Sequence, residues 1–202
     1  MKLRMISRGI VVALVVMVGV VILIHNRQAE SHPTARLTGT DLGAMVAPGF
    51  QLSDQNGKRV SLGDLRGHPT VLAFLYTHCP DECPLTAEKL HTAAGMLGSQ
   101  ASEVRWVAIS VDPVGDTPQT ATAFVHTHRL DGELRYLLGS REQLAPIWDA
   151  YHIGVDDEAN GEVTHAGALY LLDGQGRERV FLGADFDPKV LAADLRALLG
   201  GA

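Results

Sequence analysis

The sequence has few cysteines, and basic residues are in the minority after residue 48. Its 202 residues include only Cys79 and Cys83, which excludes a small domain held by several disulfides and a zinc site built from four cysteines. Residues 49–202 carry 12 basic and 21 acidic side chains. That balance is unfavourable for a nucleic-acid-binding protein, which needs clustered lysine and arginine to neutralise phosphates.

Apolar residues, in contrast, are plentiful, and the chain contains no internal repeat. Hydrophobic residues make up 46% of the sequence, which excludes an intrinsically disordered protein. The length is sufficient for one domain with a sizeable core and short for two. We therefore expect a single globular body.

The first 25 residues have the pattern of a membrane segment. Three basic residues precede 16 residues without a polar side chain, at positions 9–24. Positive charge before an apolar run is typical of a secretory signal peptide or a signal anchor. A cleavable signal has small residues at its cut site, and residues 25–28 (HNRQ) contain none. We therefore predict an uncleaved anchor over residues 1–25 and an exported body.

The remainder divides into a tether and an α/β domain. Residues 26–47 are polar without periodicity and predict a flexible tether, whereas residues 48–202 alternate predicted strands and helices. Apolar runs at 70–76 and 104–111 predict buried strands, and the stretches 50–60 and 168–182 predict hairpins. Helices are predicted over 85–97, from 118 onward, over 141–150 and over 188–199. This order of elements favours a thioredoxin-like fold.

The two cysteines are the residues best suited to chemistry. Cys79 and Cys83 follow a buried strand at the predicted start of a helix, where residues four apart share a face. A helix N-terminus favours thiolate, the form of cysteine that binds metals and attacks disulfides. Two thiolates suit Cu(I), zinc or thiol–disulfide exchange. One helical turn also brings the two Cα atoms to about 6 Å, so we expect a reversible disulfide in the metal-free protein.

Three motifs in the chain resemble the Sco/SenC family of copper proteins, which assist assembly of the dinuclear copper site of cytochrome c oxidase. The motifs are THCPDECP at 77–84, SVDPVGDTP at 110–118 and VTHAGALY at 163–170. The resemblance covers residues 48–199 and implies a thioredoxin-like fold with an N-terminal membrane anchor. It also implies that Cys79, Cys83 and His165 hold copper, as Cu(I) or Cu(II).

The resemblance also implies partners and a location. The copper acceptor would be cytochrome c oxidase subunit II or a similar protein, and other periplasmic copper chaperones or thiol reductases would be further partners. The chain would cross the bacterial inner membrane once, with its folded domain facing the periplasm or an equivalent compartment. No nucleic-acid partner is expected.

Several assignments stay open at the level of sequence. The protein is either a copper-delivering chaperone or an enzyme, a thiol–disulfide oxidoreductase in which Cys79 and Cys83 are the redox-active pair that reduces the acceptor's cysteines. Asp81 either tunes the metal and the thiols or is a carboxylate that interacts with the helix dipole. Turn formation and helix capping account for Asp112 and Asp116, and His78 is expected to lie outside the copper ligands.

We predict that the N-terminal segment is retained in the mature protein. Membrane fractions should contain the full-length chain, and carbonate washing should not release it, because an apolar segment of this kind holds a protein in the bilayer. Mass spectrometry of the extracted protein checks the result. A soluble mature form that starts near residue 26 would contradict the prediction.

Overall fold

The computed structural model describes residues 17–18, 37–157, 163–165 and 167–201, with the backbone alone for Asp157 and for residues 163–165. Within these residues no helix is both long and apolar enough to span a bilayer. The predicted anchor at residues 1–25 lies outside the described residues, apart from Met17 and Val18, which are helical.

The described residues form strands and helices in the alternating order expected of an α/β domain. The strands are β1 Thr40–Val46, β2 Gln51–Asp54, β3 Arg59–Ser61, β4 Thr70–Leu75, β5 Arg105–Ser110, β6 Leu134–Leu138, β7 Val155–Asp157, β8 Val163–His165, β9 Ala168–Leu172 and β10 Arg177–Gly183. The helices are α1 Leu62–Leu65, α2 Glu82–Leu97, α3 Pro118–Thr127, α4 Arg141–Ala150 and α5 Pro188–Leu199, with a 3-10 helix at Gly98–Glu103.

One mixed sheet organises the domain. Its strand order is β1-β10-β9-β4-β5-β6-β2-β3, while β7 and β8 pair separately. Strands β4, β5 and β6 are parallel neighbours, and β9 pairs antiparallel to β4. Every side chain of β4 is buried, as its almost wholly apolar run predicts for a strand covered on both faces. The carboxyl ends of the three parallel strands therefore meet at one edge of the sheet.

Local sequence signals account for most of the element boundaries. The predicted hairpin forms from β2 and β3, and Gly57 at its turn has a φ of 77°, a conformation that glycine adopts without strain. Thr117 caps α3 by accepting a hydrogen bond from the Thr120 amide at 3.2 Å, and Pro118 opens that helix. Helix α4 and the hairpin of β9 and β10 also lie at the predicted positions.

The structure contains elements that the sequence did not predict, among them β6. Part of the predicted tether, Thr40–Val46, forms β1 and pairs with β10. Its register shifts between Asp41 and Met45, where Gly43 and Ala44 both have positive φ, so the alternation that marks a strand is interrupted. Strand β7 also lies outside the predicted elements and pairs with β8, with Val155 opposite His165.

A buried carboxylate holds the start of β1 against the domain. Asp194 of α5 is 1% exposed and accepts hydrogen bonds from the amides of Thr38 at 2.6 Å and Gly39 at 3.0 Å. A side chain at Gly39 would collide with Val180 and Leu182 of β10. The start of β1 therefore packs closely against β10, because Gly39 has no side chain, and the hydrogen bonds to Asp194 hold it there.

We predict that Asp194→Ala destabilises the domain by about 2–4 kcal/mol, because the substitution leaves two amides without their charged acceptor. Urea unfolding of the full chain in detergent, followed by tryptophan fluorescence, measures the effect. Asp149→Ala, at an exposed position of α4, is the control and should change stability by less than about 0.5 kcal/mol. Equal effects of the two substitutions would show that Asp194 has no such role.

Candidate metal centre

The loop between β4 and α2 carries the two cysteines. Helix α2 begins at Glu82, three residues before the predicted start, so Cys83 lies in its first turn and Cys79 lies in the preceding loop. The prediction that both cysteines lie at the helix start is therefore corrected for Cys79. Pro80 provides the reason, because the residue before a proline is kept out of the helical conformation. Both cysteines are free thiols in this structure.

The two thiols nevertheless lie within hydrogen-bonding distance of each other. The amide of Cys83 donates to Sγ of Cys79 at 3.2 Å, and the amide of Tyr76 donates to Sγ of Cys83 at 3.5 Å. Cys83 is 1% exposed, whereas Cys79 is half-buried. The pair therefore has one partly exposed sulfur and one buried sulfur.

The electrostatics of the two thiols are opposite. The hydrogen bond from the Cys83 thiol, together with the amides of Cys83 and Asp81, lowers the pKa of Cys79 to about 5. Conversely, that same hydrogen bond and burial raise the pKa of Cys83 well above its usual range. At neutral pH the pair therefore holds one proton, with the thiolate at Cys79 and the S–H at Cys83.

Asp116, in the motif at 110–118, holds the cysteine loop in place from the buried side. Asp116 is buried, and its carboxylate accepts hydrogen bonds from the Thr77 amide at 2.7 Å, the Ser110 hydroxyl at 2.6 Å and the Tyr136 hydroxyl at 3.0 Å. Asp116 is therefore more than the turn residue that the sequence predicted, since it ties the cysteine loop to β5 and β6. The sequence contains no signal for the contact with Tyr136, 20 residues away.

The position of His165 is given by its backbone. His165 ends β8 and pairs with Val155, and its side chain lies outside what the structure describes. Two residues later, Gly167 lines a small apolar cavity together with Cys83 and Glu82. A Cβ at Gly167 would lie 2.5 Å from Cβ of Ala184, so this segment packs closely against the turn before α5. The strand that carries His165 thus leads to the wall of the cavity beside Cys83.

The remaining candidates lie at the rim of the loop. Asp81 is exposed and precedes α2 without a side-chain cap hydrogen bond, and its tuning role stays a prediction. His78 is exposed, with Nδ1 at 3.2 Å from the Thr77 hydroxyl. Its imidazole lies close to the carboxylates of Asp112 and Asp116. The sequence did not indicate this grouping.

Comparison with known proteins places the domain among related chains. A family model described as SCO1/SenC matches residues 38–200. An SCO2-like protein of Rickettsia typhi is 26% identical over 194 residues, which is 93% of this chain and 95% of the relative. These matches cover the whole described domain.

Solved structures support the α/β thioredoxin-like class that the sequence predicted. ScoI of Bradyrhizobium japonicum, solved with copper bound, is 33% identical with a TM-score of 0.67 and covers 75% of this chain and 98% of its own. A SCO1/SenC family lipoprotein from Bacillus anthracis is 26% identical with a TM-score of 0.72 and covers 79% of this chain and 98% of its own.

We predict that Cys79 of the reduced, metal-free protein titrates near pH 5. The thiolate absorbance near 240 nm, recorded without oxygen, should persist down to that pH, where an ordinary thiol would be protonated below about pH 8.5. Because the folded-state pKa lies below the unfolded value, the stabilisation from this thiolate is full above about pH 8.5 and is lost progressively as the pH falls from there to about 5.

Substitutions of Cys83 separate the causes of this shift. Cys83→Ser keeps a donor to the Cys79 sulfur and should largely retain the low pKa, whereas Cys83→Ala removes the donor and should raise it. A midpoint in the ordinary thiol range for the unsubstituted protein would contradict the assignment.

Proposed function

The chain belongs to the SCO1/SenC family, and from that premise we propose that it is a membrane-anchored copper chaperone for cytochrome c oxidase. In this proposal its domain binds copper and delivers it to the dinuclear copper site of subunit II or a similar acceptor. The observation that carries the proposal is the contact between the two thiols, of which that of Cys79 is half-buried with a lowered pKa and that of Cys83 is buried.

The thiol pair has the properties that copper requires. Cu(I) is a soft ion that prefers sulfur, and two sulfurs satisfy it without further ligands. Loading Cu(I) displaces the proton shared by the pair, because a metal-bound cysteine is deprotonated. Cys79 already carries the negative charge, so the metal would contact this residue first and then engage the buried Cys83. Release to an acceptor would follow the reverse order, by exchange of Cys79 for an acceptor thiolate.

His165 would complete the set for Cu(II). Cu(II) prefers a tetragonal arrangement that includes nitrogen, and two sulfurs alone do not supply one. The backbone supports this choice, because Gly167, two residues beyond His165, lines the same cavity as Cys83. Glu82 also lines this cavity. A carboxylate therefore lies in the same cavity wall as Gly167, which follows His165 in the chain. Asp81, at the mouth of the loop, would tune the metal from outside the ligand set.

A second candidate function follows from the asymmetry of the thiols. A thiol–disulfide oxidoreductase needs an exposed thiolate that attacks and a second thiol that resolves the mixed disulfide. Cys79 and Cys83 meet both requirements, and the protein would be oxidised as it reduces the acceptor's two cysteines. His165 distinguishes the two functions, since dithiol exchange does not use a distant imidazole.

The location is part of the same proposal. The predicted anchor would hold the domain at the outer face of the inner membrane, and the polar residues before β1 would set how far it reaches. A related protein from Bacillus anthracis is a lipoprotein, which is another way to hold such a domain at a membrane. Both arrangements would restrict the chaperone to acceptors in the same membrane.

We predict that His165→Ala separates the two copper valences. Binding of Cu(II) should weaken by more than about 100-fold, because an entire ligand is lost rather than an outer-shell contact. Its thiolate charge-transfer absorption should also change, while Cu(I) affinity should change by less than about tenfold. Each variant of the full chain in detergent is titrated with Cu(II) by absorption and electron paramagnetic resonance, and with Cu(I) against a competing chelator.

His126→Ala is the matched control for this experiment. His126 is exposed and its Nδ1 lies 3.2 Å from Asp131, away from the cysteine loop. Cys79→Ser should weaken both valences, since an alcohol is a poor replacement for a soft thiolate. If His165→Ala leaves the Cu(II) spectrum unchanged while the protein still reduces an acceptor disulfide, the oxidoreductase function is the better account.

A further inference from the structure

A second group of metal-ligating side chains lies beside the cysteine loop. His78, Asp112 and Asp116 each offer one ligand atom, and the three atoms lie within 4.8 Å of one another. None of these residues belongs to the thiol pair. The group combines the loop after β4 with the loop between β5 and α3, so it forms only in the folded domain.

Asp112 is oriented with one oxygen left for a ligand. Its Oδ1 accepts hydrogen bonds from the amides of Val114 at 3.1 Å and Gly115 at 2.8 Å. Among the described residues no donor contacts the other oxygen, Oδ2. The carboxylate is therefore held by its backbone while Oδ2 points to the cluster.

Gly115 keeps the space between the ligand atoms open. A Cβ built on Gly115 would lie 2.2 Å from Oδ2 of Asp112 and 3.1 Å from Nδ1 of His78. Since Gly115 does not have a positive φ, its backbone conformation does not require glycine. Glycine is required here by the close approach of the Asp112 carboxylate and the His78 imidazole. Any side chain at position 115 would fill the space between their ligand atoms.

Asp116 contributes charge from the buried side of the cluster. Its three hydrogen-bond donors fix the carboxylate, and burial raises its pKa because the charged form loses solvation. Within the part of the chain that the structure describes, no lysine or arginine pairs with Asp112 or Asp116. A cation is the partner that this arrangement lacks.

We propose that His78, Asp112 and Asp116 form a second metal site, for a borderline divalent cation such as Cu2+ or Zn2+. Imidazole and carboxylate ligands suit these ions, whereas Cu(I) prefers sulfur. Bonds of about 2.0–2.2 Å require the ligand atoms to move closer together, and rotation of the exposed His78 ring allows this. The cation would join the loop that carries Cys79 to the loop before α3.

The test removes the thiol centre first, so that its outcome does not depend on the proposed copper delivery. A full-length variant with Cys79→Ser, Cys83→Ser and His165→Ala is titrated in detergent with Cu2+ or with Zn2+ alone. We expect one equivalent to bind, and the Cu2+ form should show hyperfine coupling to imidazole nitrogen in electron paramagnetic resonance. Adding His78→Ala or Asp112→Asn should weaken binding at least about tenfold.

The variants are chosen so that misfolding does not mimic loss of the site. Asparagine at position 112 retains the Oδ1 acceptor for the two amides, and His78 is exposed, so near-ultraviolet circular dichroism should be unchanged. His126→Ala in the same background is the control and should bind the cation as before. Unchanged affinity after both His78→Ala and Asp112→Asn, or an equal loss after His126→Ala, would overturn the proposal and indicate nonspecific surface binding.

Discussion

The buried carboxylate of Asp116 is the contact on which the arrangement of the site depends. Its donors come from the loop after β4, from the last residue of β5 and from the middle of β6. These three parallel strands end at the same edge of the sheet, and one side chain links the segments there. Burying a carboxylate is costly unless hydrogen bonds compensate it, so the loss of any donor would weaken the whole edge. The cysteine loop is therefore held by the sheet.

This support allows the thiol pair to be asymmetric. Cys83 is enclosed by the core and keeps its proton, whereas Cys79 lies in a loop and receives hydrogen bonds that stabilise its thiolate. If the two thiols had the same pKa, both would be thiolates and compete as nucleophiles, or both would be protonated and unreactive. Burying one sulfur also limits access of solvent and oxidants to it, so in either proposed function the reaction would begin at Cys79. Both metal transfer and disulfide exchange use this order of engagement, which is why geometry alone leaves the two functions as rivals.

The same edge of the sheet carries the two proposed metal sites, whose side chains differ in chemistry. The thiols suit a soft monovalent ion, and the imidazole and carboxylates of His78 and Asp112 suit a harder divalent ion. Thr77 lies between them, because its amide binds Asp116 and its hydroxyl lies near His78. The hydrogen bonds of Thr77 therefore connect the loop that carries Cys79 to both Asp116 and His78.

Local physical rules were sufficient for most of the elements. The almost wholly apolar run of β4 predicted a strand buried on both faces. Thr117-Pro118 predicted the start of α3, because capping and proline geometry depend only on neighbouring residues. Strand β1 was not predicted, since its pairing with β10 and the bond from Asp194 are long-range contacts. The bulge of β1 at Gly43 and Ala44 also interrupts the alternation of apolar and polar residues by which a strand is predicted from sequence.

For the site, the sequence by itself determined the chemistry of the ligands: two thiols four positions apart, after a strand and beside a proline. Only the tertiary structure decided which thiol is exposed, because burial of Cys83 depends on the core around it and Pro80 keeps Cys79 out of the helix. The tertiary structure also brought His78 to Asp112 and Tyr136 to Asp116. These contacts join residues that are far apart in the sequence and share no helical or strand periodicity. Only the packing of the folded chain brings them together.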